Sequence, residues 1–135
     1  MTVTGRCFCG QVHYTIDAAP VGGRVCWCRD CQYIASGSAT NNILFPEDAV
    51  TFEGEIGRIE KIADSGNKVE RGFCTGCGSQ LYSRTIEPKG MPMRIRAGTL
   101  DDPELFQPTD VIWTSSAPSW AAIQPDLPQH PKGPK

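Results

Sequence analysis

Seven cysteines carry most of the chemistry available to this 135-residue chain, and they fall into three tight groups. These are Cys7-Phe8-Cys9-Gly10, Cys26-Trp27-Cys28-Arg29-Asp30-Cys31 and Cys74-Thr75-Gly76-Cys77-Gly78. Cysteines one or two residues apart reach one metal readily, because a tight turn aims both sulfurs and several backbone N–H groups inward. Glycine after the second sulfur suits such a turn, which often needs a positive φ. The competing use is a disulfide framework. It is disfavoured by the odd cysteine count, by Cys-x-Cys spacings that would strain a bridge, and by the lack of an apolar export signal among the first residues.

Zinc takes four tetrahedral ligands in a structural site, and three protein ligands plus water or substrate in a catalytic one. Seven cysteines divide accordingly. Cys26, Cys28 and Cys31 lie within six residues and can cap one metal alone, leaving a fourth position open. Cys7, Cys9, Cys74 and Cys77 then form a closed quartet that cross-links the start of the chain to its middle, where closing a long loop helps folding most. Two other partitions stay open. Cys74 and Cys77 could pair with two of the trio, which strands three thiols. A histidine could complete the trio, although His13 sits in an alternating strand and His130 in a proline-rich tail, both ordinary surface or edge positions.

Three thiolates leave a divalent zinc formally at −1, softer and less acidic than a histidine-ligated ion, so bound water is a poor nucleophile there. A soft open position suits an incoming thiol, whose pKa falls on coordination. Addition of a thiol to a small carbonyl therefore fits better than hydrolysis. No dinucleotide fingerprint, P-loop, zincin helix or nucleophile elbow competes with this reading.

The elements that must position these sulfurs are strands. Short alternating or β-branched runs occur at 12–16, 43–45, 50–52, 59–62, 69–73, 80–82, 93–97 and 111–113. Turn formers separate them: Gly22-Gly23, Pro46-Glu47-Asp48, Asp64-Ser65-Gly66-Asn67 and Pro88-Lys89-Gly90, of which the stretch 64–67 has the chemistry to close a hairpin. An antiparallel sheet protein follows. A short helix is expected over 30–35, and a helical turn at 102–105 with Asp102 as N-cap and Pro103 in the first position. The length fits one domain, residues 1–123, followed by a Pro-rich tail, 124–135, expected to run extended over the surface.

The net charge of −2 provides no basic footprint for phosphate, which argues against nucleic acid as a partner. No apolar stretch of membrane-spanning length occurs, so a cytoplasmic protein without membrane contact is expected.

These residues resemble the glutathione-dependent formaldehyde-activating enzyme (Gfa) family, which includes centromere protein V-like domains. The resemblance rests on Gly5-Arg6-Cys7-Phe8-Cys9-Gly10, on Cys26-Trp27-Cys28-Arg29-Asp30-Cys31-Gln32 with Ser36-Gly37 after it, and on Phe73-Cys74-Thr75-Gly76-Cys77-Gly78-Ser79-Gln80-Leu81. It continues through Gly98-Thr99-Leu100-Asp101-Asp102-Pro103 and Ile112-Trp113-Thr114-Ser115-Ser116 to Trp120, covering roughly 5–127 in order. The resemblance implies a mainly β fold of stacked antiparallel sheets, β-tent-like, with zinc-binding knuckles and one or two short helices. It implies two zinc ions: a structural one on Cys7, Cys9, Cys74 and Cys77, and a catalytic one on Cys26, Cys28 and Cys31. The implied activity is that of a carbon–sulfur lyase, condensing glutathione with formaldehyde to S-(hydroxymethyl)glutathione, with a small glutathione-like thiol as partner. The alternative is a non-catalytic zinc-stabilised binding module. Trp27, Val111 and Ala117 depart from the family pattern, which often has histidine at the first two positions and lysine at the third; the departures bear on substrate, not on the cysteines.

Other residues have plainer readings. Trp113 and Trp120 could line a pocket, but aromatic residues in and after a strand more often pack a core. Arg6, Arg29, Arg94 and Arg96 have the fork to grip a carboxylate-bearing thiol, although surface solvation is the ordinary use of most arginines. Ser36-Gly37-Ser38 and Thr114-Ser115-Ser116 offer donors to a substrate, yet such strings are common turn formers.

Overall fold

A computed structural model describes residues 1–134. Among the described residues, ten strands make two sheets: β1 (Val3–Arg6), β2 (His13–Ile16), β3 (Gly22–Cys26), β4 (Thr40–Phe45), β5 (Val50–Glu53), β6 (Ile56–Ile62), β7 (Lys68–Cys74), β8 (Gln80–Glu87), β9 (Met93–Arg96) and β10 (Asp110–Ile112). β1, β2 and β5 form the small sheet, and the large one runs in the order β10-β3-β4-β9-β8-β7-β6. One helix, α1 (Arg29–Ile34), follows β3. The expectation of stacked β-sheets with one or two short helices holds, and Pro103–Leu105 forms the expected helical turn with the Asp102 carboxylate accepting from the Glu104 N–H at 3.1 Å.

Period-two patterning explains how the sheets stack. In β1 and β2 the inward residues Val3, Tyr14 and Ile16 are buried and the alternate ones exposed. They meet Ile43, Phe45, Leu81, Tyr82 and Ile95 from one face of the large sheet, forming the main apolar core. The other face of the large sheet is different. Arg24 pairs across to Asn42 and Asn42 to Arg96, while Arg71 pairs to Ser83 and Ser83 to Arg94. Opposed residues share a face, so a polar, arginine-rich row lies on the side away from the small sheet.

Three details differ from the sequence expectation. Gly22 and Gly23 open β3 and do not form a turn. The backbone carbonyl of Gln107 lies where a Cβ on Gly23 would stand, which makes glycine a packing requirement of the strand. β10 pairs with β3 in parallel, the single parallel pairing between named strands among the described residues. The tail is not merely laid on the surface. Val111 N–H donates to Pro128 O at 2.9 Å, His130 N–H to Val111 O at 2.8 Å and Trp113 N–H to Lys132 O at 2.8 Å, so the chain after Leu127 pairs alongside β10. The 64–67 stretch closes the β6–β7 hairpin, with Ala63 N–H donating to Asn67 O.

Candidate metal centres

The two outer cysteine groups form matching turns at corresponding ends of the two sheets. In the β1–β2 turn, Cys7 N–H donates to Val12 O at 3.0 Å; in the β7–β8 turn, Cys74 N–H donates to Ser79 O, also at 3.0 Å. Gly10 at φ +83° and Gly78 at φ +77° take the left-handed conformation that closes each turn, where a side chain would be strained. Backbone N–H groups point at sulfur: Val12 at Cys7 Sγ and Gly76 at Cys74 Sγ, each 3.3 Å.

This brings Cys7, Cys9, Cys74 and Cys77 together, with ligand atoms within 4.8 Å of one another. Cys7 Sγ lies 3.6 Å from Cys9 Sγ, and Cys9 Sγ 3.7 Å from Cys74 Sγ. A tetrahedron with Zn–S bonds of about 2.3 Å has edges of about 3.8 Å, so the donor set fits zinc in kind and spacing. All seven cysteines are free thiols in the structure, and these separations are far beyond a disulfide bond. The group clamps the small sheet to the large one. Ser79 braces it, accepting from Phe8 N–H at 2.9 Å and lying 3.2 Å from Cys77 Sγ. Its hydroxyl and backbone hold the Cys77 thiol down at about 5.

The second group is Cys26, Cys28 and Cys31, again with sulfurs within 4.8 Å. Cys26 ends β3, Cys28 is the N-cap of α1 and Cys31 lies one turn in, so a strand end and a helix start converge on one point. Cys31 N–H donates to Cys28 Sγ at 3.4 Å. Cys26 and Cys31 are buried and Cys28 is half-buried. Among the described residues, no His, Asp, Glu or further Cys joins the trio within that distance. His13 is an exposed residue of β2, and His130 faces Asp110 at 3.6 Å.

Three sulfurs so close cannot all ionise without a cation. Hydrogen bonds from Cys26 and Cys28, helped by the Arg96 charge and the Thr40 hydroxyl, hold Cys31 far below the usual thiol value despite burial. Cys26 is pushed far up by Cys28, then Cys31 and its own burial. This is the electrostatic setting a divalent cation relieves.

The trio opens on a cavity of about 140 Å³. Its floor is the polar face of the large sheet, where Arg71, Arg94 and Arg96 stand together. Arg96 and Arg71 are 7% and 8% exposed. Arg94 Nε donates to Ser83 Oγ at 2.8 Å and its Nη1 to Thr85 Oγ1 at 3.2 Å. Burial, with Arg96 and Arg71 adding repulsion, pushes the Arg94 guanidinium down to about 10, and burial also lowers Arg96. Trp113 packs against the trio from the wall with a left-handed backbone, φ +59°, fixed by its bond to the tail. Gly133 and Pro134 reach the same cavity.

The other residues considered from sequence scatter. Arg6 binds the carbonyls of Cys7 and Phe8, and Arg29 covers the Tyr33 ring while donating to Gln32, so neither lines the trio cavity. Trp120 is exposed. Trp27 turns its ring into a separate apolar cluster with Ala39 and Val111. Arg71, Thr40 and Asn42 were missed. For Thr40 and Asn42 the signal that could have found them is polar residues at period two, 40/42 as at 94/96, on strands carrying apolar Ile43, Phe45, Met93 and Ile95 at the alternate positions; Arg71, next to Glu70 on β7, carries no such signal. Among the described residues, no helix is long and apolar enough to cross a membrane.

A family model for the glutathione-dependent formaldehyde-activating enzyme matches residues 2–116, spanning all seven cysteines and all ten named strands. With that match over most of its length, the chain belongs to the glutathione-dependent formaldehyde-activating enzyme family.

Proposed function

We propose that this protein is a zinc-dependent carbon–sulfur lyase-like enzyme that makes or breaks the adduct of a small thiol with a small aldehyde. On this reading Cys7, Cys9, Cys74 and Cys77 hold a structural zinc, and Cys26, Cys28 and Cys31 hold a second zinc with one position free for the thiol. The observation that carries the proposal is the pairing of a three-sulfur group with a cavity that opens directly on it. The family match supports an activity related to glutathione and formaldehyde.

A zinc ion held by Cys26, Cys28 and Cys31 would supply a soft Lewis acid that lowers the pKa of an incoming thiol. The chain's own residues do the rest. Cys26 and Cys31 are buried against Ile112 and Trp113, which limits water at the sulfurs. The Thr40 hydroxyl donates to Cys31 Sγ at 3.0 Å and fixes its orientation. In the addition direction, sulfur attacks the carbonyl carbon, a C–S bond forms, the C=O π bond breaks, and the proton lost by the thiol ends on the new hydroxyl. With Trp27 turned away from the trio, proton exchange there is left to solvent. Catalysis rests on raising thiolate concentration and holding the two reactants together.

The test is exchange NMR of a glutathione–formaldehyde mixture at equilibrium. Protein at micromolar concentration should accelerate interconversion of free and S-hydroxymethyl thiol, and Cys28→Ser should abolish the acceleration. A rate equal to the uncatalysed one, with both metals bound, would exclude the proposal for this thiol and aldehyde.

A further inference from the structure

The floor of the trio cavity holds more positive charge than the site can use. Arg71 and Arg96, both buried, and the half-buried Arg94 contribute three charges on one sheet face. Against them stand Asp30, which is 3.8 Å from Arg71 Nη2 and is shared with exposed Lys61, and the trio itself, at −1 once a divalent ion is bound. Arg24 is matched by Asp110 at 3.3 Å, and Asp64 lies exposed at the mouth. One positive charge is left over in a cluster that includes the buried Arg71 and Arg96, where an unmatched charge is costly without a counter-ion.

The donors tell the same story. Arg96 Nη1 is held by Asn42 Oδ1, and Asn42 Nδ2 donates to Thr40 Oγ1 at 3.0 Å, so the guanidinium is fixed in place. Its Nε and Nη2, and Arg71 Nε, are buried with no acceptor in the protein. Arg94 is spent on the neutral hydroxyls of Ser83 and Thr85. Three unanswered guanidinium nitrogens and one unit of charge call for an oxyanion, and planar guanidinium forks suit a carboxylate. Formaldehyde has one neutral oxygen and answers neither.

Space decides which half of the substrate carries that anion. The cavity beside the trio, about 140 Å³, is smaller than the roughly 300–1,000 Å³ usual for whole ligands. It shares Asp64, Ser65, Trp113, Gly133 and Pro134 with an outer cavity of about 620 Å³. The thiol carrier fits outside, with only its sulfur and the carbonyl-derived fragment inside. Resting on the thiol-adduct reading above, we infer that the small carbonyl half of the substrate carries a carboxylate, as a 2-oxo acid aldehyde such as glyoxylate does, and that Arg96 and Arg71 seat it beside the trio.

The test is titration calorimetry on the zinc-loaded full chain with mercaptoacetate, 2-mercaptoacetamide, acetate, acetamide and inorganic phosphate. Mercaptoacetate should bind at least about tenfold tighter than its amide, as expected when a charge-assisted hydrogen bond is lost. Arg96→Met should erase that preference, and Arg96→Lys should keep part of it. Equal affinities of acid and amide in the wild type would overturn the inference without recourse to any variant. So would a preference that survives in both Arg96→Met and Arg71→Met. Phosphate binding tenfold tighter than acetate would overturn the carboxylate assignment. If acetate outcompetes acetamide but mercaptoacetate gains nothing over acetate, the anion seat stands and the thiol-binding trio fails.

Discussion

The hydroxyl of Thr40 donates a 3.0 Å hydrogen bond to the sulfur of Cys31, from the strand residue directly opposite Cys26. Thr40 is 4% exposed, and it accepts in turn from Asn42, which holds Arg96. The trio is thereby wired to the arginine floor through one side-chain chain. Hydrogen bonds to a ligating sulfur orient it and stabilise its anionic form. Thr40→Val should weaken metal binding at the trio about 10–100-fold, read by chelator competition, while Thr40→Ser stays close to wild type. Equal affinities in all three proteins would show that the hydroxyl has no part in the site.

The cysteine groups should separate structure from activity. Cys74 is fully buried where the two sheets are clamped. Cys74→Ser should lose one zinc and unfold or melt far below the wild type, since structural zinc contributes about 10 kcal/mol or more in small domains. Cys28 is half-buried at a helix cap. Cys28→Ser should lose the other zinc and thiol turnover, yet keep the far-UV circular dichroism and most of the melting temperature. Metal analysis with thermal melts checks both.

Glu70 gives a pH dependence unconnected with metal. Burial alone would raise its carboxyl, but hydrogen bonds from Arg84 at 2.9 Å and Tyr82 at 2.7 Å, with the charges of Arg84 and Arg58, hold it below the usual carboxylate range. A depressed folded-state pKa adds stability that is complete above the unfolded value, near 4.3, and is lost as pH falls through the folded one. Glu70→Gln should therefore cost about 1–3 kcal/mol at pH 7, with the gap to wild type closing below about pH 4. Denaturant melts at both pH values check it, and a gap that stays constant would contradict the ion-pair account.

Tyr82 lies flat over Gly72 on the neighbouring strand, with ring carbons 2.0 Å from where a Cβ would be. Both residues are buried, so neither can move aside freely. Gly72→Ala should cost about 1–3 kcal/mol by overpacking, measured by urea melts. A variant as stable as wild type would show that the ring can shift at no cost.

Sulfur spacing and strand patterning were legible because both are local. Cys26, Cys28 and Cys31 sit within six residues, and Val3, Tyr14 and Ile16 alternate as half-buried strands must. What the sequence hid depends on neighbours far along the chain. Gly22-Gly23 reads as a turn, and only the approach of Gln107 makes it a strand. Arg94 and Arg96 read as surface residues because alternation cannot say that the second face of a sheet is covered too. Arg71 comes from a different hairpin and joins them only through the Ser83 register. The prolines of the tail suggested chain that runs extended over the surface without pairing, whereas it bonds to β10 and the turn after it mainly through carbonyls, which proline retains, those of Pro128 and Pro131 among them.

The most direct test of two unlike zinc centres is X-ray absorption at the zinc edge on protein carrying two ions per chain. The wild type should average about 3.5 sulfurs per zinc near 2.3 Å, with a lighter atom making up the rest. Saturating glutathione should raise that average toward four, and should leave a Cys28→Ser protein with one zinc and four sulfurs unchanged. A single zinc per chain in the wild type, or a sulfur count that does not move when thiol is added, would contradict a closed quartet beside an open trio.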